Sequence, residues 1–215
     1  MRSRAFRIEG RDTTIFEGFV RSAPHDITTP SGGTHQCDGT NNNQNPNPGI
    51  TPTNLIDDAA RLCGFGFDGT YSPSFSDYFI NRIAATQQTS NQFWGVLVNN
   101  IYTPTGGCGF IAGPNDETLW AFDVFNKNYL LSVSPRSATL VPGQSITINV
   151  GAVDPNGGAP VPAGGASIFG GQITDSTGNV VYTVPAGTPP GTYRFKATRS
   201  DSIRSNAIVI TVTSN

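Results

Sequence analysis

At 215 residues the chain is long enough for one large domain or two modest ones, each burying its own core. Charged residues make up only 13% and the net charge is -2, so there is no electrostatic footprint for nucleic acid or an anionic membrane surface. With 25 glycines and 16 prolines, the composition is that of a turn-rich β protein and not of a helical cytosolic enzyme.

In chain order, residues 5–10 alternate apolar and polar side chains, the pattern of a half-buried strand. Arg11-Asp12 turns the chain into a second strand over 13–20, which completes a hairpin. Residues 21–53 lack periodicity and hold the tract Asn41-Asn42-Asn43-Gln44-Asn45-Pro46-Asn47-Pro48-Gly49. A loop of that length in a compact domain is functional or tied down.

One helix is well signalled. Thr51 suits the N-cap and Pro52 the first helical position. Leu55, Ile56, Ala59, Leu62 and Cys63 share one face, and Gly64 can close the helix in the left-handed conformation. Asp57 and Asp58 are expected to offset the helix dipole near its N-terminal end, which outweighs a paired acid and base as their explanation.

After a Gly- and aromatic-rich connection (65–71), residues 77–83 read as a strand. The stretch Gln92-Phe93-Trp94-Gly95-Val96-Leu97-Val98-Asn99-Asn100 is expected to be the buried central strand of the first half. A further strand over 119–125 follows the turn Gly113-Pro114-Asn115-Asp116. One helix across a mixed sheet is an α+β layout, with β-grasp as the first choice.

From residue 130 no helical pattern remains. Short strands at 130–133, 145–150, 166–169, 180–184, 192–197 and 207–212 alternate with turns, the spacing of an all-β Ig-like sandwich. The expected organisation is therefore mainly β: a β-grasp-like domain over 1–129 and an Ig-like domain over 130–215.

The three cysteines, Cys37, Cys63 and Cys108, have no CxxC spacing, so a zinc site is not expected. Cys37 and Cys108 lie in Gly-rich polar segments and are expected to pair, leaving Cys63 buried and free in the helix. The alternative is three reduced thiols in a cytosolic protein. No apolar run approaches the roughly 20 residues that cross a bilayer, and no secretory core follows Met1-Arg2-Ser3-Arg4. The composition favours an extracellular or cell-surface protein whose signal has been removed. No Asn-x-Ser/Thr site occurs.

Phe93-Trp94-Gly95-Val96-Leu97-Val98-Asn99, a Gly-rich excursion, then Gly113-Pro114-Asn115-Asp116-Glu117-Thr118-Leu119-Trp120-Ala121-Phe122 resembles the pattern of transcobalamin C-terminal-like domains. The segments Thr14-Ile15-Phe16-Glu17-Gly18, Thr28-Thr29-Pro30-Ser31-Gly32-Gly33-Thr34-His35, Cys37-Asp38-Gly39-Thr40-Asn41-Asn42 and Leu55-Ile56-Asp57-Asp58-Ala59 are similar to a branch in actinobacteria and filamentous fungi. In that branch an Ig-like domain follows, and Asp201-Ser202-Ile203-Arg204-Ser205-Asn206 fits it too. The resemblance implies a β-grasp fold, paired cysteines and a surface location. It does not imply cobalamin binding, because the large helical domain that forms most of that site is missing here.

Candidate site residues are few. His25 and His35 are the only histidines, which rules out a multi-histidine metal centre. His35 lies near Cys37 and Asp38, but a disulfide-bonded cysteine is no nucleophile, and a hydrogen-bonded loop histidine is the simpler reading. Asp38 and Asn41 carry oxygen ligands at the spacing of a calcium loop without its closing Glu, and Asx turns explain them as well. Asp175-Ser176-Thr177-Gly178-Asn179 reads as a hairpin turn, and Arg199, Asp201 and Arg204 as a charge cluster. Trp94 and Trp120 are expected in the core, whereas Tyr71 and Tyr102, placed in loops, are candidates for an exposed aromatic platform.

The expected ligand-binding set is thus Tyr71, Tyr102, His35, Asp38 and Asn41, with no catalytic residues, metal or cofactor. The function expected is a non-enzymatic surface-binding or adhesion protein for cell-wall polysaccharide or a surface protein, without nucleic acid or membrane insertion. The alternative is a self-associating subunit of a surface layer or filament. A glycan-active enzyme using Asp38 or Asp116 is a third, weaker reading, since no separated carboxylate pair is recognisable.

Overall fold

The computed structural model describes residues 2–214. It is mainly β, 44% strand against 8% helix. The chain divides into two compact units, the first ending at Asn126 and the second beginning at Lys127.

In the first unit, β1 (Arg2–Glu9) and β2 (Thr14–Ser22) form the expected antiparallel hairpin. The long loop is not structureless. It contains a small hairpin of β3 (Ile27–Thr29) and β4 (Gly33–His35) and a 3-10 turn at Asn41–Asn43. The helix α1 (Pro52–Cys63) follows, and then β5 (Phe67–Ser72), β6 (Asp77–Ile83), β7 (Thr86–Gln87), β8 (Trp94–Val98), β9 (Ile101–Tyr102) and β10 (Glu117–Phe122). The main sheet runs β2-β1-β10-β8-β9, with β1 and β10 parallel.

Three expectations are corrected here. The 92–100 stretch supplies β8, but the middle position belongs to β10. The strand at 77–83 is real, yet it joins β5 and β7 in a separate three-stranded sheet. The supposed connection over 65–71 contains β5. Strand propensity marks extended backbone but says nothing about its partner.

α1 starts and stops as its sequence dictates. Thr51 Oγ1 accepts from the Asn54 amide at 3.2 Å, and Asn54 Oδ1 accepts from the Thr51 amide at 3.0 Å, a reciprocal cap. Gly64, at φ 74°, ends the helix in the left-handed region. Leu55, Ile56, Ala59 and Ala60 pack with Phe6, Ile8, Val20, Trp120 and Phe122 in one core. The last turn lies beyond that core. Leu62 is 67% exposed and Cys63 is free but exposed, contrary to its expected burial. The aspartates also miss the first turn: Asp57 instead pairs with Arg61, one turn on, and with His25.

The second unit contains β11 (Tyr129–Ser134), β12 (Ser137–Leu140), β13 (Ser145–Val153), β14 (Val161–Pro162), β15 (Ser167–Ile168), β16 (Gln172–Ile173), β17 (Asn179–Thr183), β18 (Gly191–Phe195), β19 (Ser202–Ile203) and β20 (Ile208–Val212). One sheet is built on β13, flanked by β11 on one side and by β14 and β17 on the other. A second sheet runs β12-β20-β18. Leu131, Val133, Ile148 and Val150 from the first sheet share a core with Leu140, Ile208, Ile210 and Val212 from the second. Buried Asn206 acts as an extra strand partner. Its Oδ1 accepts from the Val133 amide at 3.1 Å, and its Nδ2 donates to the Val133 carbonyl at 3.3 Å.

Candidate functional site

The cysteines fix the geometry of a cleft beside β6. Cys37 and Cys108 are disulfide-bonded with Cα atoms 4.6 Å apart, joining the long loop to the Gly-rich loop before β10. Backbone and side-chain bonds reinforce the join. The Gly39 amide donates to the Cys108 carbonyl (3.0 Å), and Asn45 Nδ2 bridges the carbonyls of Gly39 (2.6 Å) and Gly109 (2.9 Å). Asn54 Nδ2 donates to the carbonyls of His25 and Cys37, so the helix start is tied to the same loop.

Against this staple, β6 and the 104–109 segment enclose a cavity of about 430 Å³ that also touches Asn41, Asn42, Gln44 and Phe75. Tyr78, Phe79, Thr105 and Gly106 also wall a second cavity, of about 270 Å³, lined by Trp94, Val96, Tyr102, Trp120 and Phe125. The two therefore form one groove with aromatic walls. Its rim is unusually apolar for a surface: Phe75 is 73% exposed, Phe79 50% and Phe125 58%. Phe125 stacks on Tyr102 with ring centroids 5.3 Å apart, and Phe79 meets Phe93 at 6.2 Å.

One carboxylate lines the groove. Asp77 is 7% exposed and accepts from the amides of Tyr78 (2.7 Å) and Cys108 (2.9 Å). Burial dominates its titration and pushes the carboxyl up to about 6, despite those amides and that of Gly109. A Cβ at Gly106 would collide with the Asp77 carboxylate, so only glycine lets the loop close over it. Trp94 Nε1, in the wall of the second cavity, is a buried donor without a partner among the described residues.

The residues expected to bind ligand are placed unevenly. Asn41 and Tyr102 line the groove. Tyr71 and Tyr102 lie on strands β5 and β9, not in loops, and Tyr71 contributes to neither cavity. Tyr71 instead stacks on His35 at 3.5 Å, and both rings meet Tyr78 edge-on. His35 Nε2 lies 3.0 Å from the Gly32 carbonyl. The Tyr78 hydroxyl sits between the carbonyls of Ile27 and Gly33, and burial pushes its pKa up to about 12. His35 and Tyr71 are thus a buttress behind the groove. Asp38 orders the loop through the Thr40 amide (3.0 Å) and hydroxyl (2.6 Å), an Asx turn. Asn41 Nδ2 is spent on the carbonyls of Gln36 and Ser76.

Sequence reasoning missed Phe75, Phe79, Phe125 and Asp77 as groove residues. Only Phe75, a lone aromatic in the polar turn Ser72-Pro73-Ser74-Phe75-Ser76, carried a local signal.

A second cluster, His25, Asp57 and Asp58, is the one group of three potential metal ligands among the described residues. Its chemistry is otherwise accounted for. His25 Nδ1 lies 2.8 Å from the Ala23 carbonyl and Nε2 2.9 Å from Asp57 Oδ2. The Asp57 hydrogen bond, more than any other contact, raises the imidazole above its ordinary value. Arg61 already balances Asp57.

No protein-family model matches the chain, and no curated protein matches it significantly.

Proposed function

We propose that this chain is an extracellular or cell-surface binding module whose groove between β6, β8 and the 104–109 loop takes a cell-wall glycan. The observation that carries the reading is the set of exposed Phe75, Phe79 and Phe125 along a cleft beside the Cys37–Cys108 disulfide. Flat aromatic faces stack on sugar rings, and the amides of Asn42 and Gln44 beside them can exchange hydrogen bonds with hydroxyls. A glycosidase needs two carboxyl groups about 5 to 9.5 Å apart, whereas among the described residues Asp77 is the only carboxylate lining this groove. The reading is therefore recognition without catalysis.

In this reading the first unit is a β-grasp domain of the transcobalamin C-terminal-like type. The order β2-β1-β10-β8, the parallel β1–β10 pair and the helix packed with them support it. The second unit is an Ig-like sandwich, supported by two sheets sharing one core. The disulfide fits an oxidising compartment, and among the described residues no helix is long and apolar enough to cross a membrane.

The test is co-sedimentation with chitin, β-glucan, cellulose and peptidoglycan. Selective pelleting with one polymer, lost in Phe75→Ser/Phe79→Ser and kept in Phe19→Ser, supports the groove; Phe19 is exposed but lies outside it. Equal loss in both variants, or no pelleting at all, contradicts it.

A specific observation favours the second reading, self-assembly into a surface layer. Val161 and Val181, on β14 and β17 at one margin of a sheet, are both about half exposed, as is Ile173. Unpaired strand edges with β-branched side chains add strands from other copies. Sedimentation velocity showing size that grows with concentration, and that Val181→Lys abolishes, would favour assembly.

A further inference from the structure

Along β1, Arg4, Phe6 and Ile8 are buried on the face that meets the helix. Arg4 ends this row, where the core gives way to a separate cavity of about 460 Å³. Arg4 as a whole is only 5% exposed. Its Nε donates to the Ala112 carbonyl at 3.1 Å and its Nη1 to the Ser3 carbonyl at 3.0 Å, and no carboxylate among the described residues pairs with it. Two of five N–H donors are thus met by neutral acceptors, and the positive charge is met by none. Arg7, the other buried arginine of this strand, has Glu9 beside it.

A buried cation without a counter-charge is costly, and the cost falls when an anion arrives. We propose that this cavity binds a small organic acid, its carboxylate on Arg4 and its apolar body against Ile50, Ile111 and Pro24. The guanidinium edge suits a carboxylate, which accepts two parallel hydrogen bonds. Arg2, two residues back and on the same strand face, stands exposed at the lip and attracts anions to it. Prolines 24, 48 and 114 with Ile50 and Ile111 form apolar walls, which suit a hydrocarbon body better than a hydrated inorganic ion. The volume lies within the usual range for small-molecule sites. This site shares no lining residue with the aromatic groove and stands or falls independently of it.

The test is NMR titration of the intact chain with benzoate, hexanoate and 4-methylpentanoate, each beside its neutral amide, at constant ionic strength. The expected result is saturable shifts of the Arg4 Nε–H and the Ile50 and Ile111 methyls for at least one acid in the millimolar range. Its amide should bind roughly tenfold more weakly, since it lacks the charge. Arg2→Glu, an exposed change that leaves the fold alone, should weaken the acid several-fold, and Arg4→Lys should weaken it further by losing the planar fork. Acid and amide binding alike, no saturation by any acid, or inorganic phosphate shifting the same signals as strongly as the acids would each overturn the assignment.

Discussion

Asp77 holds a carboxylate where the fold admits almost no water, and its raised pKa makes that a statement about stability. The folded value of about 6 exceeds the ordinary 3.8, so between those pH values the folded chain keeps a proton that the unfolded chain has released. Stability from this group is fully present below about pH 4 and is lost as pH rises through 6, by up to about 3 kcal/mol. Asp77→Asn cannot ionise. Melting the parent and this variant across pH 4 to 7 should show a parent-minus-variant difference that falls through this window; a flat difference would contradict the burial argument. The residue was visible in the sequence as the start of a strand, but its isolation from water was not. That isolation depends on Gly106 closing over it from 29 positions away.

Elements differ in how openly the sequence announces them. α1 was legible at both ends because caps are local: Thr51, Pro52 and Gly64 act within a few residues of the backbone they serve. Thr51→Ala should cost about 1 kcal/mol in chemical denaturation. The Thr51 hydroxyl is fully buried, so an effect within error would mean that the cap does not stabilise the helix. The disulfide was legible because the segments around Cys37 and Cys108 are polar and Gly-rich. It closes a loop of 71 residues in sequence separation. Replacing both cysteines with serine should lower stability by roughly 4 kcal/mol in the chain-entropy model and loosen the groove, read as faster amide exchange over 104–109. Strand partners were not legible. Residues 77–83 and 92–100 are both rich in aromatic and branched apolar side chains, yet they belong to different sheets, because pairing is decided by contacts far apart in sequence. Helical periodicity likewise put Leu62 and Cys63 on the buried face, but periodicity gives direction around a helix and not the point where its core ends.

For the whole molecule, the titrating groups combine into a pH preference. Burial opposes ionisation of Asp38, Asp68 and Asp201, but hydrogen bonds from Thr40, Ser31 and Ser202 and their neighbours outweigh it and lower all three. Their stabilisation is present above 3.8 and lost as pH falls below it. His25 and Asp77 act in the opposite direction, losing theirs as pH rises. The molecule should therefore be most stable near pH 4 to 5, and denaturation midpoints across pH 3 to 8 check it; a maximum at neutral pH would mean that other groups dominate. The groove emerges only at this scale, from β6, β8 and two loops joined by a disulfide, which is why Tyr102 pointed to it and Tyr71 did not.

The chain's only two tryptophans, Trp94 and Trp120, both line the groove's second cavity, so intrinsic fluorescence reads the site directly. The decisive measurement is a fluorescence titration with soluble oligosaccharides of whichever wall polymer pellets the protein. A saturable change in the parent, absent in Phe79→Ser, is the result expected if the groove is the binding site. Binding seen by calorimetry with no change in fluorescence, or an unchanged titration in Phe79→Ser, would place recognition elsewhere and contradict the account.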